Sequence, residues 1–342
     1  MNFCLLIPLG FLQGRGFEGK NLGDRYDSYI FALSNSRMII VQKSSKEESI
    51  MHGVEVKGIL SAKNGINIYR GCTHGCIYCD SRSKCYQMQH KFEDIEVKLN
   101  APKVLEEALR SKRKKCMIGT GAMSDPYIHL ESSLQNTRKC IELIDSYGFG
   151  LAIQTKSARI LRDLDLLKKI NEKTKCVVQM TLTTFDEELC KIIEPNVSTT
   201  KERFEVLKIM HDNGIPTVVW LSPILPFIND TEENIKGILD YCIKARVHGI
   251  ICFGMGVTLR EGNREYFYKK LDEHFPGMKD RYIKKYNYSY QIPSPNHDKL
   301  MNIFRKTCKS NNILYDVQEC FSYLNEFEEK NHYEQLMFPG LN

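Results

Sequence analysis

Six short apolar runs, at 66–70, 116–121, 149–155, 176–183, 217–221 and 249–253, alternate with segments whose apolar residues recur at helical spacing. Strands this short, each followed by an amphipathic helix, leave few solutions besides a parallel sheet with right-handed crossovers. The helices have readable ends and faces. Asn100 reads as a cap before Val104, Leu105, Ala108 and Leu109, and Leu134, Ile141 and Ile144 line a helix stopped at Gly148. Ile160, Leu164, Leu167 and Ile170 keep one stripe, and Ser198 reads as the start of a helix that carries Phe204 and Leu207 to Gly214. Asp230 with Glu233 reads as a capping box before Ile235, Ile238 and Leu239. Six repeats without a clear seventh and eighth predict an α/β fold, a partial (β/α)6 TIM-type barrel over 56–262. In such barrels chemistry sits at the C-terminal ends of the strands.

The flanks read differently. Residues 1–55 mix glycine-rich pieces with one apolar run at 38–41 and a polar stretch at 42–49, which predicts a loosely structured N-terminal extension, with Met51 as an alternative start. Residues 263–342 read as a helical, basic-aromatic C-terminal extension: Tyr266, Phe267 and Tyr268 come first, then a stretch where lysines alternate with Tyr282, Tyr286, Tyr288 and Tyr290. Together with the basic run 110–115, this suits phosphates and stacked bases. The bland reading is a pair of solvated faces, the first at a helix end where cations suit the dipole. A net charge of +6 permits an anionic partner without requiring one.

The chain has thirteen cysteines in 342 residues, and no run nears the roughly 18 apolar residues of a membrane span. The apolar stretch 3–12 lacks a basic flank and is interrupted by Pro8, a poor signal peptide. Reduced thiols and a cytoplasmic location are the expectation. The first apolar run leads into Gly71-Cys72-Thr73-His74-Gly75-Cys76-Ile77-Tyr78-Cys79-Asp80, a C-x3-C-x2-C loop. Its thiolates suit zinc or an iron–sulfur cluster. Structural zinc wants four closed ligands, with Cys85 or His74 as the fourth. Three ligands instead leave one iron of a cubane open. Cys4, Cys116, Cys140, Cys176, Cys190, Cys242, Cys252, Cys308 and Cys320 are scattered singly and read as small core hydrophobes.

Cys72, Cys76 and Cys79, with Tyr78 before the last, resemble the signature of the radical S-adenosylmethionine (SAM) superfamily. More narrowly, the chain resembles the spore photoproduct lyase-like branch through the stretches 67–79, 119–126, 193–196 and 223–230. The resemblance implies a [4Fe-4S] cluster on the three cysteines, S-adenosyl-L-methionine chelated at the open iron, and a 5′-deoxyadenosyl radical released when an electron breaks the sulfonium bond. It implies a reductant such as flavodoxin or ferredoxin. The superfamily's Gly-Gly-Glu-like segment has no glutamate here; Tyr78, Thr120, Gly121, Ser124, Asp125, Lys156 and Thr183 stand as cofactor contacts. Each has a plainer reading: Asp125 with Pro126 as a helix start, Lys156 as solvated, Thr183 and Thr184 as satisfying turn donors. Glu194-Pro195-Asn196 reads as a tight turn or a substrate contact. The loop with Pro223, Pro226 and Asn229 reads as shaping the adenosine pocket, and Gly254-Met255-Gly256 as a turn or a close backbone approach.

Two departures bear on activity. The branch resemblance implies a hydrogen-donating cysteine just before Ser124, where this chain has Met123, and a tyrosine after the last cluster cysteine, where it has Asp80. Candidates for delivering hydrogen are then Tyr78, Tyr127 and Cys85. The expectation is a lyase-like radical enzyme whose leading substrate class is damaged or modified nucleic acid. The alternatives are radical modification of a small metabolite or a protein, and a zinc-stabilised nucleic-acid-binding module.

Overall fold

The computed structural model describes residues 26–34, 37–44 and 48–330. Strands β1 (Tyr26–Ser34), β2 (Arg37–Ser44) and β3 (Glu48–Val54) form an antiparallel meander. Over 26–54, then, the expectation of a loose extension is corrected; residues 1–25 lie outside the described residues. The clue was compositional, since Tyr29, Ile30 and Phe31 and then Ile39, Ile40 and Val41 are strong strand formers.

The run at 66–70 is not one strand. It splits into β4 (Gly65–Ile66) and β5 (Tyr69–Arg70). β4 belongs to the barrel, whereas β5 turns away and pairs antiparallel with β6 (Ile95–Lys98), which pairs in parallel with β3. The cysteine loop leaves directly from β5, so it hangs between the two sheets.

The remaining strands are β7 (Met117–Thr120), β8 (Gly150–Thr155), β9 (Cys176–Thr181), β10 (Thr217–Trp220) and β11 (Gly249–Ile251). With β4 they form a six-stranded parallel sheet in the order β4-β7-β8-β9-β10-β11. Each barrel strand is therefore hydrogen-bonded to the next in the chain, the layout of a partial (β/α)6 barrel. Helices α1 (Ala101–Ser111), α2 (Glu131–Leu134), α3 (Asn136–Ser146), α4 (Leu164–Lys173), α5 (Glu187–Ile193), α6 (Thr200–Asp212) and α7 (Glu232–Lys244) lie between them.

Strand alternation decides what each side chain meets. Ile118, Ile153, Val178, Val219 and Ile250 pack with Leu105, Ile141, Leu167, Leu207 and Ile238 of the helices. The intervening Met117, Ala152, Val177, Val218 and Ile251 pack instead with Cys320 and Leu324. Those two come from the C-terminal extension, where β12 (Gly256–Thr258) pairs with β13 (Gln291–Pro293). Around this ribbon lie α8 (Asn263–His274), α9 (Met278–Tyr286), α10 (His297–Ser310) and α11 (Val317–Asn325). Leu314 bridges in parallel to Gly249 and covers the open edge of β11. The extension therefore plugs the barrel where a seventh and eighth strand are missing.

Three expected helix caps are corrected, all by tertiary ties. Asn100 makes no capping bond; its amide exchanges two hydrogen bonds with the backbone of Val56. Ser198 accepts from the Ala158 amide, and α6 is capped by a Thr199/Glu202 box one residue later. Asp230 accepts from Ser294, leaving Thr231 to cap α7.

Candidate functional site

Gly71 turns the chain out of β5 at φ 89°, where a Cβ would lie 2.5 Å from the Phe92 carbonyl. From there the cysteine loop is stitched down at every few residues. Ser124 donates to the Gly71 carbonyl at 2.5 Å. Asn196 takes both loop carbonyls beside Gly75: its backbone N–H donates to His74 and its side chain to Thr73. The Ile77 amide donates to the Ile193 carbonyl. Glu194-Pro195-Asn196 is therefore a strap that clamps the loop.

Beneath the strap lies a fully buried ion pair. Arg203 and Glu194 each have 0% exposed side chains and meet at 2.5 Å. Arg203 also donates to the Thr181 carbonyl and to the Cys190 sulfur, and Glu194 accepts from the Tyr78 hydroxyl and from Thr183. Burial alone would raise the Glu194 pKa; Arg203, Lys156 and the Tyr78 hydrogen bond outweigh it and hold the carboxyl below its ordinary value. Burial and the adjacent Glu194 push the Tyr78 phenol well up, so it stays a neutral donor.

Asp125 performs the same service on the other side. It accepts from the Thr155 hydroxyl at 2.7 Å, from the Lys156 amide at 2.8 Å and from the Tyr127 amide, and its Oδ2 lies 3.4 Å from His74 Nδ1. No helix starts at Asp125; the next begins at Glu131. The reading as a helix N-cap is corrected, because this carboxylate ties the cysteine loop to the end of β8.

The loop opens on a cavity of about 490 Å³ at the C-terminal mouth of the barrel. Cys76, Tyr78 and Cys79 line it on the loop side, with Gln154 of β8, Lys156 just after it, Thr181 of β9 and Trp220 of β10 from the barrel strands. Phe253, His297 and Gln291 rise on the far side. The mouth-facing set follows the alternation already described: Gln154 continues Ala152, Thr181 continues Val177, Trp220 continues Val218 and Phe253 continues Ile251. Trp220 donates to Gln179 at 2.9 Å, and its ring lies 5.9 Å from that of Phe253.

Of the expected cofactor contacts, Tyr78 and Lys156 line this cavity, while Thr120, Gly121, Ser124, Asp125 and Thr183 do not. Thr120 shares the helix-facing parity of Ile118. Gly121, at φ 98°, has its Cα so close to the Gln154 carbonyl that a Cβ would lie 1.9 Å away. Of the hydrogen-delivery candidates only Tyr78 reaches the cavity. Tyr127 is buried against Asp163 at 3.0 Å, and Cys85 is exposed at 3.5 Å from an Arg260 nitrogen. Met123 does not line the cavity, though Ala122 does. Gln154, Thr181, Trp220, Ser222, Phe253 and His297 escaped the sequence reading; strand parity carried forward from the core positions finds four of them.

Lys156 is half-buried, with its ammonium 5.9 Å from the centre of the Tyr78 ring. Desolvation works against its charge, but Cys76 and Cys79 in their thiolate form and the carboxylates of Glu194 and Asp125 raise its pKa. Among the described residues no protein acceptor binds its ammonium, which leaves it facing the cavity.

The residues fit a cubane cluster. All three thiols are free, and burial, with Asp125 and Cys79 adding to it, pushes the Cys72 thiol up to about 12. Burial likewise pushes the Cys76 thiol well up. Thiols as desolvated as Cys72 and Cys76 become thiolates on a metal, and among the described residues no histidine or carboxylate groups closely with the three thiols to close a zinc site, while Cys85 points to Arg260.

The extension's aromatic stretch is partly corrected. Tyr282 is buried and donates to the Pro226 carbonyl, and Tyr286 donates to Pro293, so only Tyr288 and Tyr290 are exposed as a surface. Their different fates follow from α9, which turns positions 282 and 286 onto one inner face. The basic run 110–115 makes local ties: Arg110 pairs with Glu106, and Lys115 donates to the Tyr147 carbonyl.

The family model of the radical SAM superfamily matches residues 66–242. An uncharacterised protein of Methanocaldococcus jannaschii is 32% identical over 200 residues, covering 58% of this chain and 72% of the relative. One from Mycobacterium tuberculosis is 27% identical over 259 residues, covering 72% and 74%. Among solved structures, a spore photoproduct lyase variant with dinucleoside spore photoproduct superimposes with a TM-score of 0.57 at 14% identity, covering 77% of this chain and 80% of that one. The lyase complexed with the dinucleoside gives 0.54 at 14% identity, covering 76% and 78%. At such identities the likeness is one of fold. The family match decides against the zinc-module alternative, and with the three-thiol loop at the mouth of a six-stranded barrel it has one meaning: this chain belongs to the radical SAM superfamily.

Proposed function

We propose that this enzyme acts on a modified or damaged base of a nucleic acid, held across the barrel mouth opposite the cysteine loop. The single observation that carries the proposal is the aromatic rim. Phe253 is 63% exposed beside Trp220, and Tyr288 and Tyr290 are exposed just before the cavity-lining Gln291. Exposed aromatic faces at a cavity mouth suit stacking on planar bases, and Arg260 and Arg264 beside the two tyrosines suit phosphates. The fold likeness to a lyase bound to a dinucleoside lesion supports the same substrate class.

The superfamily's [4Fe-4S] cluster and SAM, with one electron from a reductant of flavodoxin or ferredoxin type, supply the 5′-deoxyadenosyl radical that abstracts hydrogen. In this reading the chain's own residues have the following tasks. Cys72, Cys76 and Cys79 hold the cluster. Lys156 presents a charge to the SAM carboxylate, and Gln154, Thr181 and Ser222 offer hydrogen bonds. Tyr78, locked by Glu194, keeps the wall next to the cysteines rigid. Trp220 and Phe253 stack the base and exclude water from it.

Among the described residues, the only thiols lining the cavity are Cys76 and Cys79, both cluster ligands. No protein thiol is then at hand to quench a substrate radical, and efficient reversal of spore photoproduct is not expected. The test is incubation of reduced enzyme and SAM with nucleic-acid, protein and small-metabolite fractions from cells grown in deuterated medium. Deuterium entering 5′-deoxyadenosine from the nucleic-acid fraction supports the proposal; deuterium entering it only from the protein or small-metabolite fraction overturns it.

A further inference from the structure

The five-stranded sheet carries a second cluster of ligating side chains, from segments that flank the three-cysteine loop in sequence. β3 and β6 pair in parallel with His52 opposite Glu96, and His90 comes from the segment that leads into β6. One ligand atom from each of the three lies within 4.8 Å of the other two. The rings of His52 and His90 stand edge to face with centroids 4.7 Å apart. His52 is buried, and the other two are half-buried.

What each group does with its other atoms fixes the chemistry. His52 Nδ1 lies 2.8 Å from Asp94 Oδ1, and His90 Nδ1 lies 3.0 Å from the Lys91 carbonyl. Both neighbours are acceptors, so in the neutral rings each Nδ1 carries the proton and each Nε2 keeps its lone pair. His90 Nε2 is buried without a hydrogen-bond partner, 3.6 Å from Glu96 Oε2. Glu96 is also free of the cation that its strand offers. Arg70, opposite it on β5, spends its guanidinium on the carbonyls of Tyr86 and Gln87. A ligand atom of each imidazole and a Glu96 oxygen thus converge, and His90 Nε2 has no hydrogen-bond partner there. A carboxylate behind one histidine and a backbone carbonyl behind the other are the outer partners that metal-bound imidazoles have.

We propose that His52, His90 and Glu96 hold a Zn²⁺ ion, with Asp94 orienting His52 and water in the fourth position. Two imidazoles and one carboxylate suit zinc in tetrahedral geometry. The ion would fasten the N-terminal sheet to the segment between the cysteine loop and β6. Phe92 and Asp94 of that segment crowd Gly71, where the cysteine loop begins.

The experiment uses anaerobically prepared, cluster-loaded enzyme. Elemental analysis is expected to find about one zinc per chain beside the iron, and the zinc absorption edge a shell of nitrogen and oxygen at about 2.0–2.2 Å. His90→Gln and Glu96→Gln are each expected to lose most of the zinc while keeping the iron. Asp94→Asn should keep the ligands but weaken zinc binding roughly 10- to 100-fold. Histidines with a purely structural role would leave zinc content unmoved. Sulfur in the zinc shell, at about 2.3 Å, would place the ion in the cysteine loop and overturn the proposal. So would full zinc retention by both variants, no zinc even after incubation with Zn²⁺, or stoichiometric nickel or manganese in its place.

Discussion

The two walls of the barrel-mouth cavity are made of different material. On the cysteine side, Glu194, Arg203, Tyr78 and Asp125 are buried and bound to named partners across four segments of the chain. On the far side, Phe253 stands open in the cavity lining, and Tyr288 and Tyr290 are exposed in the chain segment that leads to Gln291. The first wall is held by buried charges and hydrogen bonds; the second tolerates shape. Chemistry that generates a radical needs the rigid wall, and a substrate that must enter and leave suits the open one.

The sharpest way to break this contrast is at Glu194. Glu194→Ala leaves Arg203 buried without its counter-charge, and a loss of about 3–5 kcal/mol in denaturant unfolding is expected, with poor cluster retention. The same carboxylate gives a pH signature. Its folded pKa is held below the ordinary value, so its contribution is present at neutral pH and is lost as pH falls through the folded pKa. Acid unfolding of the wild type should therefore shift relative to Glu194→Ala only on the acidic limb. Lys156→Met comes next. It should weaken SAM binding by about 1.5–3 kcal/mol, roughly 10- to 150-fold by calorimetry, with little change in unfolding. Phe253→Ala tests the open wall and should cost about 1–3 kcal/mol in oligonucleotide affinity while leaving SAM binding and stability alone. The smallest effect is expected at Ser124, whose hydroxyl is spent on the Gly71 carbonyl. Ser124→Ala should lower stability by about 1 kcal/mol and move SAM affinity by less than twofold. If Phe253→Ala unfolds the protein, or Glu194→Ala is neutral, the division into rigid and open walls fails.

The barrel and the cysteine loop were legible because both are local patterns: a strand–helix alternation and a ten-residue motif. The straps were not. Asn100, Ser198, Asp230 and Asp125 all carry the chemistry of caps, and local rules read them so. Each instead satisfies a backbone or side-chain group distant in sequence, which only the assembled fold can reveal. Glu194 left no trace of its partner Arg203, which lies on the following helix. The cavity floor was readable in principle. Once Val177, Val218 and Ile251 are known to face inward, counting by two reaches Thr181, Trp220 and Phe253. Thr120 fails the same count, which is why it faces the helices.

If the clamped cysteine loop and the cavity it faces form a SAM-cleaving centre, the isolated protein must cleave SAM in step with its iron content. Anaerobically reconstituted, dithionite-reduced protein is mixed with SAM, and methionine and 5′-deoxyadenosine are quantified against bound iron. The account predicts about four irons per chain and equal amounts of the two products, both abolished in Cys76→Ala and retained in Cys140→Ala. Protein that binds no iron, or that holds the full cluster yet releases no 5′-deoxyadenosine, would contradict it.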